Sequence, residues 1–463
     1  MRHRLTCRLA LIAAGVCALL VPATAQATST KAEIEASVSK GVSYLESLQT
    51  SSGGFESDWD LSALAAGKAA AVNLQKAGAA TNARKWYYEL VGNETATKWP
   101  KEAIPTEYER AALNAYAAGI EPARVSKTQN LIAGIFSFYN TEHPGYYGEP
   151  SVFEGTIFGV LALADAKTEE KNQRVPQVLL EKSVPVIEAN EHTDGGWNYK
   201  QAEGNETVRK SESEPDTTGA AIAALCAAGA TPTGNEAVKK GIAYLKANLV
   251  NATGAFDSEF GTNTDSNAWA VSGLQACGIE PQEAGFTTAD SKTPIDFLVS
   301  QQLGSGAFRY LTSGESANEY SSQDAVRALA GAGFTAPPPV PTGGLEQWYA
   351  ASNFSTSKSV KSSLGLIINN GSGMLKVCSV SIAPEATTTT LEAVLKAAEA
   401  KSTPSSCVTS HASEASTKAI TQINGYPSTP TPEWDISING GAQEQAKTTT
   451  VIHLGDTIYL DYV

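Results

Sequence analysis

Four carboxylates, Glu107, Glu154, Asp216 and Asp265, stand where helices are expected to begin. Two acids at a controlled separation are the working pair of glycan-cleaving enzymes. An acid in a first helical turn also opposes the helix dipole and satisfies free N–H groups, with no chemistry implied. Trp59, Tyr146, Tyr147, Tyr199 and Trp269 fall outside the repeated pattern that accounts for other rings, so their flat faces are the candidates for a ligand surface. His192 and His411 lie in expected loops and are the imidazoles to weigh as metal ligands. No suitable Cys accompanies His192 locally, which argues against a catalytic zinc set. Cys226, Cys277, Cys378 and Cys407 have spacings that match no metal site. Their natural pairing is within each half of the chain, Cys226 with Cys277 and Cys378 with Cys407.

The elements that must position these groups repeat. Gly41 to Leu45 leads to Gly53-Gly54-Phe55, and Val184 to Ile187 leads to Gly195-Gly196-Trp197. Gly241 to Leu245 leads to Gly254-Ala255-Phe256, and Pro294 to Leu298 leads to Gly306-Ala307-Phe308. Each unit is an apolar helix, a small-small-aromatic turn, a polar loop and a helix rich in small residues. The rings in these turns are expected to wedge between neighbouring hairpins. The second helices share a register: Asp216 precedes Ile222, Leu225 and Gly229 by the same steps that separate Asp265 from Val271, Leu274 and Gly278. Val326, Leu329 and Gly333 fit the same frame, with the glycine as helix C-cap. Two divergent units fill the gap, Trp86 to Gly119 and Leu131 to Ala164. The expectation is therefore six hairpins closed into an all-α α6/α6 toroid over residues 28–334, because closure removes the need for polar capping repeats. Its inner helices would aim their N-termini at one mouth, which Glu107, Glu154, Asp216 and Asp265 would rim.

Arg2, Arg4 and Arg8, the apolar run Leu9 to Val21 and the small residues near Ala27 read as a secretory signal peptide over 1–27. Removing three Arg and no acids takes the formal charge from −14 to −17, which opposes binding to nucleic acid or anionic membranes. No later stretch is long and apolar enough to span a membrane. A secreted location is thus expected, where disulfides persist. A Pro-rich stretch, 335–344, reads as a linker. Beyond it, 345–463 reads as a small β-rich α+β domain, with strands around Gly365–Ile368, Leu375–Ile382, Trp434–Ile438 and Thr457–Leu460. One helix, Thr390 to Ala400, interrupts the strands, with Leu391, Val394, Leu395 and Ala398 on one face.

The repeated aliphatic helix, Gly-Gly-aromatic turn and Asp216-Thr-Thr-Gly-Ala220 segment resemble the prenyltransferase and squalene-cyclase repeat. That resemblance implies an α/α toroid and leaves activity open, since the scaffold serves enzymes and carriers alike. A protonating cyclase would carry an Asp-x-Asp-Asp acid motif; the nearest segments are Asp58-Trp59-Asp60 and the region of Asp216. The prenyltransferase zinc set and the complement-type thioester motif are likewise missing, and Cys226 stands in a helical Leu-Cys-Ala-Ala-Gly. The C-terminal order of strand, helix, Gly425-Tyr426, Trp434-x-Ile-x-Ile-Asn439-Gly440 and Gly455-Asp456-x-Ile458 resembles the small domain of the transcobalamin and intrinsic-factor family. This second resemblance implies a secreted, non-catalytic protein holding a corrinoid such as cobalamin between its two domains, with a cell-surface receptor or transporter as partner. Trp434 would join the ligand contacts or the core, and His192 or His411 would be the axial cobalt ligand to test. Alternatives are a toroid enzyme, cyclase-like or glycan-active, using carboxylates at the rim, and a cell-surface adhesion module.

Overall fold

The computed structural model describes residues 28–49, 55, 57, 59–71, 104–117, 122–124, 130–169, 172–199, 213–282, 285–334, 362–373, 375–382, 388–400, 407–427 and 433–463. The expected signal peptide, the linker, Asp58 and the outer helix sought near Trp86 lie outside these residues.

Helices dominate as far as residue 329. Six of them, α2 (Trp59–Ala71), α3 (Pro105–Ala117), α5 (Phe153–Ala164), α8 (Pro215–Ala227), α10 (Thr264–Ala276) and α12 (Glu319–Leu329), form an inner set. Each packs on the next, and α12 returns to α2, so the set closes into a ring. Around it run α1 (Lys31–Leu48), α4 (Leu131–Phe136), α6 (Gln177–Glu181), α7 (Val184–Ala189), α9 (Glu236–Ala247) and α11 (Pro294–Ser300). Closure is visible at the seam too, where the Ser29 backbone N–H donates to Asp296 of α11. Two of the outer helices, α1 and α11, start on reciprocal capping boxes, Thr30 with Glu33 and Thr293 with Asp296.

The repeated glycines have a steric reason. Gly195, Gly254 and Gly306 all have positive φ, and a Cβ on Gly306 would lie 2.5 Å from the Lys40 carbonyl oxygen of α1. The turn can therefore press against the next outer helix, and its ring goes inward: Trp197, Phe256 and Phe308 are fully buried. Between α8 and α10 the small residues allow direct backbone contact. A Cβ on Gly273 would meet the Gly219 carbonyl oxygen at 2.1 Å. A disulfide, Cys226–Cys277, joins the same two helices near their C-terminal ends.

The C-terminal part is β-rich. Its main sheet is made of β1 (Ser362–Asn369), β2 (Leu375–Ile382), β3 (Trp434–Ile438), β4 (Glu444–Gln445) and β5 (Thr457–Tyr462), in the order β4-β3-β5-β1-β2. Alternation decides its two faces. Leu364, Leu366 and Ile368 share a core with α13 (Leu391–Glu399), whereas Ile367, Leu375 and Val377 belong to the core of the helical ring. Gly365 lies under the Phe136 ring of α4. Arg174 fastens the contact, donating to Asn439 Oδ1 at 2.6 Å and to the Gly455 carbonyl at 2.9 Å. The second disulfide joins Cys378 to Cys407 within this part. Among the described residues no helix is long and apolar enough to cross a membrane.

Candidate functional site

All six inner helices carry an acid in their first turn: Asp60, Glu107, Glu154, Asp216, Asp265 and Glu319. Those first turns converge on one mouth, where a cavity of about 550 Å³ opens. Trp59, Glu154, Asp216, Asp265 and Tyr320, all first-turn residues, line it, and Trp269 and Asp324 stand one turn deeper. Arg110 of α3, Glu214, Thr217, Gln323 and the loop residues Ser57, Tyr199 and Phe260 complete the lining.

Hydrogen bonds hold the acids. Asp216 accepts from its neighbour's backbone, Thr217 N–H, at 2.5 Å and from the Ser266 hydroxyl of α10 at 3.1 Å. The Ser321 hydroxyl donates to Asp265 Oδ1, so the first turns of α10 and α12 are linked in the same way. Both oxygens of Asp324 are engaged, Oδ1 by Arg327 at 2.7 Å and Oδ2 by the Trp269 indole N–H at 2.9 Å. Arg327 is buried, with its guanidinium 5.0 Å from the Trp59 ring centre and 5.2 Å from that of Phe334. Phe158 touches Trp59, Trp269 and Phe334 edge-on or tilted, so the floor is a wedge of rings around one ion pair.

This crowding sets the protonation states. Burial first, and the charge of Asp324 second, push Asp265 up to about 7, against the Ser321 hydrogen bond that favours its ionised form. Burial and Asp216 raise Glu154. Burial raises Asp324 even though Arg327 pulls the other way. Behind Glu154, Glu109 is wholly buried with neither oxygen hydrogen-bonded, and desolvation holds it well above the usual carboxylate range. The mouth can thus present several carboxyl groups, part of them protonated near neutrality, beside exposed aromatic faces.

Residues 144–266 match the squalene-hopene cyclase C-terminal domain model. The matched stretch contains α5, α8 and the start of α10, and with them Glu154, Asp216 and Asp265. Among solved structures, haptocorrin in complex with Cbi is similar over 92% of this chain and 97% of its own, at 14% identity and a TM-score of 0.37. The type II terpene cyclase MstE from Scytonema is similar in its ligand-free form over 65% of this chain and 98% of its own, at 13% identity and a TM-score of 0.44. A variant of that cyclase in complex with merosterolic acid A aligns at 13% identity, a TM-score of 0.43, and coverage of 65% and 97%. No curated protein matches the chain.

Of the sequence candidates, Trp59, Tyr199, Glu154, Asp216, Asp265 and Trp269 come together at the mouth. Glu107 is one step removed, paired with Arg110, which does line the cavity. Tyr147 is not a surface residue. It is fully buried beside Tyr139 and follows Gly145, whose φ is +99°, so Gly145-Tyr146-Tyr147 is another turn of the repeat and Tyr147 is its inward ring. Tyr146 is half-buried, and its hydroxyl accepts from Asn190 outside the cavity. Trp434 is buried in the β-domain core against Tyr462. Neither histidine lines the cavity: His192 is buried in the turn before Trp197, and His411 pairs with Glu399 of α13 at 2.6 Å.

Eight lining residues, Ser57, Arg110, Glu214, Thr217, Phe260, Tyr320, Gln323 and Asp324, were missed by sequence reasoning, although a signal existed for two. Six residues before Val326 is Tyr320, the register equivalent of Asp216 and Asp265. Four residues further on is Asp324, equivalent to Trp269. Gln323 and Phe260 have no counterpart in the repeat frame.

Proposed function

We propose that this chain is a secreted, non-catalytic binding protein whose complete six-hairpin toroid, 28–334, receives a small molecule at the N-terminal mouth of its inner helices. One observation carries this: a cavity of about 550 Å³ lined by both carboxylates and aromatic faces from the converging helices, within the size range usual for small-ligand sites. Catalysis by proton donation to an alkene is disfavoured by the same site. A carboxyl moved up to about 7 is weaker than an ordinary one by on the order of a thousandfold. A corrinoid is the ligand we propose to test first, on the strength of the C-terminal resemblance, with a surface receptor or transporter taking the cargo on. The described lining comes wholly from the helical part, so the ligand would lie across the mouth rather than in a cleft between the two domains. Titrating micromolar protein with cobalamin and cobinamide and following the visible spectrum tests this version; an unchanged spectrum with no ligand retained on gel filtration removes it.

An enzyme acting through rim carboxylates is the second function considered, because Asp265 is poised to exchange a proton near neutral pH. Incubation with isoprenoid and polysaccharide substrates tests it, and product formation that disappears in Asp265→Asn would displace the binding proposal.

A further inference from the structure

A closed ring of hairpins has one junction that the backbone does not supply. Its first and last members meet through contacts between residues 253 to 267 positions apart, and chain entropy opposes closure over such a length. The start of the described chain is part of that seam. The Ser29 N–H donates to Asp296 Oδ1 of α11 at 2.5 Å, and the Ser29 carbonyl accepts from Gln282 at 3.0 Å. Asp296 Oδ2 is committed to Thr293 in its own capping box, so Oδ1 is the oxygen that faces the incoming chain. A second carboxylate stands close by. Hydrogen bonds from the Thr30 backbone and hydroxyl hold Glu33 below the usual carboxylate range, while the charge of Asp296 pushes it the other way. Thr28, one residue before Ser29, is exposed. Its nitrogen is one peptide unit from that of Ser29 and therefore within about 6 Å of Asp296 Oδ1.

The leader offers two cuts with small residues in the required places, after Ala25 and after Ala27. We propose that the chain is cut between Ala27 and Thr28, and that the α-ammonium so formed on Thr28 closes the seam of the ring against the carboxylates of Asp296 and Glu33. The step is a hydrolysis by a leader peptidase. Water adds to the Ala27 carbonyl, the C–N bond breaks, and the products are a carboxylate on Ala27 and an ammonium on Thr28, with no other reactant. A cut after Ala25 would instead leave the ammonium on Gln26, up to about 7 Å farther along the chain. The second cut therefore places a cation beside two acids that repel one another, at the junction where weak contacts must replace a covalent turn. The N-terminal end of α1 opposes part of this gain, and the site is open to water, so the effect is that of a surface ion pair.

This inference rests on the export proposed above and not on the ligand of the mouth, and the test separates the two. The full chain is expressed with its leader in a secreting bacterium, and the released protein is sequenced from its N-terminus. The expected start is Thr28-Ser29-Thr30. A released protein that begins at any other residue overturns the assigned cut and leaves export standing, whereas protein retained in the cell with Met1 in place overturns both. The closing role is read from thermal melts at pH 6.5, where an α-amino group is protonated. The chain beginning at Thr28 is compared with one carrying Gly-Gly ahead of Thr28, which moves the charge away and leaves the Ser29 amide in place. The extended form should melt about 1–2 °C lower at low ionic strength, and 1 M NaCl should remove most of the difference. Asp296→Asn keeps an acceptor for Ser29 and for Thr293, and in that background the extension should cost at most half as much. Equal melting temperatures at low salt, or a difference undiminished by salt or by Asp296→Asn, overturn the closing role.

Discussion

The approach of α8 to α10 positions Asp216 and Asp265, so separating those helices should damage stability and site together. Gly273→Ala is the sharpest way to do it. At an ordinary helix position this change gains about 1 kcal/mol from propensity. Here the new Cβ would lie 2.1 Å from the Gly219 carbonyl oxygen and 2.4 Å from its carbon. Both are backbone atoms, so no side chain can swing aside, and relief requires moving one helix by about 1 Å. Over-packing of this kind typically costs about 1–3 kcal/mol, and the Cys226–Cys277 bond resists the separation at one end. With backbone opposing backbone the upper end of that cost applies, and about 3 kcal/mol less the propensity gain of about 1 leaves a net destabilisation of about 2 kcal/mol, a fall in Tm of roughly 5 °C for a domain of this size. Far-UV circular dichroism in urea gives the free energy. Gly304→Ala is the control, because a Cβ there meets nothing within 4 Å, and it should be neutral or slightly stabilising. The Ser266–Asp216 bond spans the same helix pair, so Gly273→Ala should also weaken ligand binding at the mouth. Stability within 0.5 kcal/mol of the parent, about the scatter of surface changes, would refute the close approach.

Stability should also depend on pH through Asp265. Its folded pKa is raised, so the native state holds the proton more tightly than the unfolded chain, and stability declines as pH rises from the unfolded value of 3.8 to about 7. Asp265→Asn should abolish that decline, worth on the order of 4 kcal/mol at most, and melts at pH 4 and pH 8 compare the two. Arg327→Met should cost roughly 3–5 kcal/mol by leaving Asp324 buried without its cation, and the additional change Asp324→Asn should recover part of it in urea denaturation. Replacing Cys226 and Cys277 together by Ala opens a loop of 51 residues and should lower stability by about 4 kcal/mol on the chain-entropy relation, measured under non-reducing conditions.

The helical repeat was legible because its punctuation is steric. Glycines that must take positive φ or touch backbone cannot be replaced, so Gly195, Gly254 and Gly306 recur at one spacing and expose the hairpins. The same reasoning would have placed Tyr147 inside, had Gly145 been recognised as a member of that series. Alternation revealed the strands of the C-terminal part but not their partner. Ile367 and Val377 look like any second face of a sheet, and nothing local says that this face joins the core under α4. The mouth was half legible. Acids in first turns announced themselves as caps, and the repeat register points to Tyr320 and Asp324, whereas Gln323 reaches the mouth only through the parallel arrangement of six helices.

That arrangement also explains why the caps matter beyond capping. A helix N-terminus carries roughly half a positive charge, so six pointing to one mouth would amount to about three positive charges and an anion site. One acid per first turn more than cancels this when ionised. Burial then prevents all of them from ionising together, as Asp265 and Glu154 show. The mouth is therefore held near a balance in which its sign follows the protonation of two or three carboxyls. Any charge brought to the mouth shifts that balance, so the residues that cap the helices of the ring also set the sign of its mouth.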